Sequence, residues 1–231
     1  KRIKLQEINQ LILHCAGVFL EATTLSSKKA VGDSLSFNLE LINRSNAKVI
    51  LKKLSCNSLN FLKEYDIESE NNQKHDIRSK VKIPNELKIS QPYWLVEKPL
   101  IGTCIVDDQL KIGKPENDPA ALFIIHVNIN GEEILCKRPL IFKWNDPVKG
   151  EQIKNWILAP KVTANISKKV MIFSNDRAKK IDIKLKSHSG SQSGKIDLLT
   201  PLGWQVTGPK DYKLNSTDDE ISITYEFKPL E

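Results

Sequence analysis

The sequence predicts a mainly β protein, with an amphipathic helix leading into two antiparallel sandwiches. Three observations carry that expectation. Leu35, Phe37, Leu39 and Leu41 alternate with Ser36, Asn38 and Glu40, the period of a strand with one buried face. The period returns at Ile181, Ile183 and Leu185 and again at Ile221, Ile223, Tyr225 and Phe227. Turn-forming residues separate these runs, as antiparallel connections require.

The first segment differs from the rest. Leu5, Ile8, Ile12, Cys15 and Phe19 recur at steps of three and four, which places them on one stripe of a helix running from Arg2 to Leu20. Such a helix is marginal in water unless the stripe is covered, by the first sandwich or by a preceding domain. From Thr24 the texture becomes β. Gly32 and Asp33 lead into the first strong strand, Asn43 to Asn46 supply a turn, and Lys48 to Leu54 read as the return strand. The polar stretch Glu68 to Lys82 reads as a mobile loop, and Pro84, Pro92, Pro99 and Pro115 punctuate the region after it. Ala121 to Ile129 and Glu133 to Phe142 form a hairpin about Asn130-Gly131, a pair suited to the positive backbone angles of a tight turn.

A boundary is expected between Asn145 and Pro160, where Asp146-Pro147 and Gly150 break the pattern. The division is then residues 1–23 as a connecting helix, 24–147 as a first sandwich and 148–231 as a second, both immunoglobulin-like. Strands of the second unit are expected at Val170 to Phe173, Ile181 to Leu185, Ile196 to Leu199, Trp204 to Val206 and Ile221 to Phe227, with a flexible turn at Ser187 to Gly194.

The 231 residues carry a net charge of +7, but the lysines are single or paired and acids are interleaved among them. Aromatics are 6%, too few to interleave a basic strip, so solvated strand faces are expected and no nucleic-acid partner. The run Leu11 to Leu20 is interrupted by His14 and falls short of the roughly 20 residues of a membrane span. The four cysteines lack the C-x-x-C spacing of a zinc site and the cysteine-tryptophan spacing of the immunoglobulin disulfide, which points to free structural thiols.

No constellation of catalytic residues can be read. Gly190 to Lys195 resembles a phosphate loop only superficially: its glycines are too close, Ile196 stands where Ser or Thr would hold magnesium, and no helix follows. Asp107-Asp108 and Asp218-Asp219-Glu220 read as solvated turns, lacking the spacing of a calcium loop. The histidines His14, His75, His126 and His188 are scattered, so no catalytic and no metal-binding residue is expected. The aromatic residues Tyr93, Trp94, Trp144, Trp156 and Trp204 remain as candidates for stacking on a glycan or for packing between domains. Trp156, near the expected boundary, is the one assigned to packing between the two β units.

Several segments together resemble a known family. Glu21-Ala-Thr-Thr24, Gly32-Asp-Ser-Leu35, Asn43-Arg-Ser-Asn46, Gln91-Pro-Tyr-Trp-Leu95, Ile112-Gly-Lys-Pro-Glu-Asn117 and Asp146-Pro-Val-Lys-Gly150 resemble the C-terminal region of large bacterial PIG-L (LmbE-like) deacetylases. Pro201-Leu-Gly-Trp204 and the strands after it are similar to the immunoglobulin-like domain associated with bacterial alpha-galactosidases. The family's His-Pro-Asp-Asp zinc motif has no counterpart here, since Asp107-Asp108 follows Ile105-Val106. The resemblance therefore implies a non-catalytic C-terminal module of a secreted or periplasmic N-acetylglucosaminyl deacetylase, a piece of a longer protein. Zinc and the catalytic domain would lie upstream, and the partners implied are that domain and a glycan. An independent carbohydrate-binding module or a structural spacer is the alternative.

Overall fold

The computed structural model describes residues 2–175 and 177–230. Strands account for 52% and helix for 10%, so the fold is mainly β, of the immunoglobulin-like sandwich kind. The chain divides into two compact units, residues 1–158 and 159–231.

Helix α1 (Arg2–Cys15) stops short of the expected Leu20. Gly17 is the cause. It takes φ +64°, its N–H donates to the His14 carbonyl, and a Cβ on it would lie 3.3 Å from the Arg44 backbone. A glycine in this left-handed conformation just past the last turn is the usual C-terminal stop. Val18, Phe19 and Leu20, which also fit the helical period, belong instead to strand β1 (Val18–Thr24). The helix is anchored by the fully buried Leu13, with Ile12 packed partly against the core, while Leu5 and Ile8 stay exposed.

The first unit continues with β2 (Lys28–Ala30), β3 (Ser34–Asn43), β4 (Val49–Cys56), β5 (Phe61–Ser69), β6 (Lys74–Lys82), β7 (Leu122–Ile129), β8 (Glu132–Asp146), β9 (Gly150–Asn155) and β10 (Ile157–Ala159). Its hydrogen-bonded order is β5-β4-β7-β8-β1-β3-β6, with β9 beside β8. The 15-residue β8 serves both layers of the sandwich. Residues up to Pro139 pair with β7, and from Leu140 to Phe142 the strand runs parallel to β1. Proline has no N–H to offer a ladder, so the changeover at Pro139 removes no donor that pairing needs. The alternation read at Leu35, Phe37, Leu39 and Leu41 is realised, since all four are buried. Phe37 of β3 meets Phe123 of β7 at 4.6 Å and Phe61 of β5 at 5.2 Å between ring centroids, which joins the two layers in one core. The Asn130-Gly131 hairpin forms as expected, with φ +51° and +97°.

The stretch Glu68 to Lys82 is not a loop. It holds the end of β5 and all of β6, an edge strand paired with β3 from Lys82 opposite Ser34 to Lys74 opposite Ile42. Lys74, Asp76, Arg78, Lys80 and Lys82 project outward, and of the residues between them only Ile77 is buried. Charged side chains on an edge oppose strand-to-strand aggregation. The break at Asp146-Pro147 is the β8–β9 hairpin: Asp146 Oδ1 accepts from the N–H groups of Val148 and Lys149 at 2.9 and 2.8 Å. Those two bonds hold the Asp146 carboxyl below its usual range. Residues 148–158 thus belong to the first unit.

The second unit contains β11 (Val162–Ile166), β12 (Lys179–Ser187), β13 (Gln192–Lys195), β14 (Trp204–Thr207), β15 (Asp211–Leu214) and β16 (Glu220–Pro229). One antiparallel sheet has the order β11-β12-β16-β14, and β13 pairs with β15. Ile183, Leu185, Ile223 and Tyr225 from the sheet meet Leu214 of β15 in a small core. The expected strands at 170–173 and 196–199 are irregular. Ile196 and Leu198 still pack against the core, so their apolar character reports burial without a ladder. Part of the expected Ser187 to Gly194 turn is β13.

Candidate functional site

The connection between β6 and β7 covers residues 83–121, about forty residues where loops beyond about 15 are uncommon and are usually functional. It is fastened at defined points. Ser90 exchanges two bonds with Leu158 of β10: its N–H donates to the Leu158 carbonyl at 2.8 Å, and its Oγ accepts from the Leu158 N–H at 3.0 Å. Asn117 binds the other side. Its Oδ1 accepts from the Tyr93 N–H at 3.0 Å, and its Nδ2 donates to the Gln91 carbonyl. Tyr93 Oη donates to the Lys114 carbonyl at 3.1 Å. The segments Gln91–Leu95 and Ile112–Asn117, separate in the sequence, are therefore bound to each other.

This arrangement leaves a cleft on each side of the Tyr93-Trp94 pair. The two rings meet edge to face at 4.9 Å. Tyr93 lines a cleft of about 300 Å³ with Leu87, Val96, Lys88, Lys111 and Lys114. Trp94 lines one of about 310 Å³ with Trp156, Ile157, Asn155, Glu116 and Pro92. Both volumes are at the lower end for ligand sites, which span about 300–1,000 Å³. Asn155 Nδ2 donates to Glu116 Oε2 at 2.9 Å, and Lys114 bridges both oxygens of Asp118 at 2.9 and 3.1 Å.

The five candidate aromatics fall in separate places. Only Tyr93, Trp94 and Trp156 border the 83–121 connection. Trp156 is 1% exposed and belongs to the first unit's own core. It follows the β8–β9 hairpin, two residues before the end of the first unit. Trp144 stacks on Phe142 at 5.2 Å, with Lys154 Nζ 5.1 Å from its ring centroid, along the β8–β9 hairpin. Trp204 meets Phe173 at 4.8 Å in the second unit. Sequence reasoning missed Ser90, Glu116, Asn117 and Asn155. Their only sequence signal was the cluster of prolines around two of the segments that carry the family resemblance.

Other polar groups serve structure. Asp108 accepts from the Leu110 N–H at a turn, and Asp219 accepts from the Asn215 N–H. His126 pairs across the hairpin with Glu133 at 2.6 Å, and His188 contacts Thr163 Oγ1 at 3.0 Å. Cys56 and Cys136 are buried, Cys15 and Cys104 exposed, and all four are free. Among the described residues no three His, Cys, Asp or Glu side chains gather as metal ligands, and no helix is long and apolar enough to cross a membrane.

The class defined is thus an immunoglobulin-like β-sandwich protein with a structured inter-strand connection and clefts beside it. No family model matches the chain, and no curated protein matches it. Among solved structures it is similar to red sea bream transglutaminase, at 9% identity and TM-score 0.40, over 96% of this chain and 29% of that one. It is also similar to Escherichia coli alpha-2-macroglobulin, at 8% identity and TM-score 0.30, over 93% of this chain and 19% of that one. A third likeness is to Pseudomonas fluorescens alkylpurine DNA glycosylase AlkC, at 13% identity and TM-score 0.26, over 60% and 34%. The chain spans about a fifth to a third of these proteins, and likeness at this level assigns no role.

Proposed function

We propose that the chain is a non-catalytic accessory module of a PIG-L-like zinc-dependent N-acetylglucosaminyl deacetylase, acting outside the cytoplasm to position the catalytic domain or its glycan substrate. Zinc and the hydrolytic chemistry belong to the upstream domain in this reading. The observation that supports it is the 83–121 connection, which is tied to the sandwich at Ser90 and braced internally by Asn117, and which presents aromatic and polar side chains in concave surfaces. Stable scaffolds commonly carry recognition on such loops. An independent carbohydrate-binding module is the second reading, favoured by the fact that both clefts are lined entirely by residues of the first unit.

The test joins the chain to a PIG-L catalytic domain and compares deacetylation of polymeric and monomeric N-acetylglucosamine with and without the module. A higher kcat/KM on polymer alone is expected. Equal kcat/KM in both forms overturns the accessory reading, and retained glycan binding in that case supports the independent module. Acetate released by the isolated chain overturns both.

A further inference from the structure

Trp156 is only 1% exposed, yet its Nε1–H has no hydrogen-bond partner among the described residues. Leaving a buried donor unpaired is costly, so an acceptor brought within its reach would be rewarded. The same residue lines the 310 Å³ cleft together with Trp94. Trp94 is half-buried, its ring held edge-on by Tyr93, whose own N–H and Oη are both engaged. The cleft therefore places a fixed aromatic surface beside a buried residue whose donor is unsatisfied.

Its charge is one-sided. Glu116 and Asp118 line it, and no lysine or arginine among the described residues does. Asp118 is neutralised by Lys114 from the neighbouring cleft, which leaves Glu116 as the charge available to a ligand. Glu116 Oε2 takes one bond from Asn155, which orients the carboxylate without balancing its charge.

We infer that this cleft is a subsite for a single pyranose ring bearing a free amino group. The apolar C–H face of the ring would lie on Trp94, a ring or hydroxyl oxygen would accept from Trp156 Nε1–H, and the ammonium would face Glu116. This deepens the accessory-module reading and rests on it for the choice of a glycan as occupant. It also goes further, because it assigns the cleft to the deacetylated sugar in preference to the N-acetyl form.

The four tryptophans give indole N–H signals that can be followed in 1H–15N spectra of the whole 15N-labelled chain, with Trp156→Phe assigning one of them. On titration with the β-1,4 glucosamine trimer, the Trp156 signal is expected to move. Trp94→Ala should weaken binding about tenfold, and Glu116→Gln roughly threefold, as an exposed charge contributes little. The N-acetylglucosamine trimer should bind several-fold more weakly than the free amine. Preserved dispersion in the spectra of the Trp94 and Glu116 variants establishes that they fold.

Trimer binding that is unchanged in Trp94→Ala and leaves the Trp156 signal still overturns the subsite while leaving a glycan-binding module intact. Equal or tighter binding of the acetylated trimer overturns the amino-sugar assignment. A tetralysine peptide that moves the Trp156 signal at lower concentration than the sugar overturns it in favour of a protein partner. No shift with either sugar removes the subsite and leaves the accessory function to the fusion kinetics. Binding as expected, with no effect of the module on deacetylation, rejects the accessory reading and keeps the subsite.

Discussion

The Asn43 amide donates to the Ser69 carbonyl at 3.0 Å, so one side chain joins the end of β3 to the end of β5 in the opposite layer. The same Nδ2 donates to the Ala47 carbonyl at 2.8 Å, and Oδ1 accepts from the Ser45 N–H and Oγ at 3.1 and 3.2 Å. Asn43 and Ser69 are buried, so the Ser69 carbonyl has no water to replace the amide. Asn43→Ala should destabilise the first unit by about 2–4 kcal/mol through several orphaned polar groups. Asn43→Asp should do similar harm by bringing a carboxylate to two carbonyls. Urea denaturation followed by circular dichroism measures both, and a loss below about 0.5 kcal/mol in each would refute the role.

Leu13→Ala should cost about 2–4 kcal/mol, because Leu13 is wholly buried, whereas Ile8→Ala should stay within about 0.5 kcal/mol. The helical stripe read from the sequence gives the reverse expectation for Ile8. Paired thermal melts of the two variants decide between them.

Lys143 of β8 donates to Glu21 of β1 at 2.8 Å and also pairs with Glu151 at 3.0 Å. The bond to Glu21, above all, raises its pKa over the ordinary 10.5. A folded pKa above the unfolded value gives stability that is fully present below 10.5 and is lost as pH rises through the folded pKa. Urea midpoints measured from pH 8 to 11, roughly bracketing that window, should fall less in Lys143→Met than in the parent. Parallel curves would show that the pair contributes nothing.

Gly208 lies where an added Cβ would come within 2.4 Å of the Tyr225 ring. Tyr225 is buried and its Oη donates to the Pro209 carbonyl, so the ring has little room to yield. Gly208→Ala should destabilise the second unit by about 1–3 kcal/mol. Tyr225→Phe in the same background would then lose little more, the hydroxyl bond being already displaced. Near-ultraviolet circular dichroism of the tyrosine environment and denaturant midpoints report the result.

Thiol labelling of the native chain should proceed in two classes. Cys15 and Cys104 are exposed, whereas Cys56 and Cys136 are buried and burial pushes the Cys136 thiol pKa up. Fewer thiolates and less access both slow reaction. Two thiols should therefore react quickly with an aromatic disulfide reagent and two only on unfolding. Four equal rates would contradict this burial.

What was legible in the sequence was the part that buries one face regularly. β3 and β12 show their alternation because core and solvent sides differ sharply in polarity. β6 hid because an edge strand needs few apolar residues, and the helix end hid because Val18 to Leu20 satisfy two periods at once. The aromatic candidates were visible, but which of them meet was not. That depends on Ser90 reaching Leu158 and on Asn117 reaching Gln91 and Tyr93, contacts between distant segments for which periodicity carries no signal.

The double membership of β8 also constrains how the chain can be made. During synthesis β1 emerges early, but its parallel neighbour, Leu140 to Phe142, emerges only after most of the first unit. Until then β1 can pair with β3 on one side and has a bare edge on the other. Long sequence separations between paired strands slow folding and prolong the exposure of unpaired edges. A ribosome stalled before Leu140 would therefore hold a half-built sandwich, and release of the β8 segment should complete both layers in one late step.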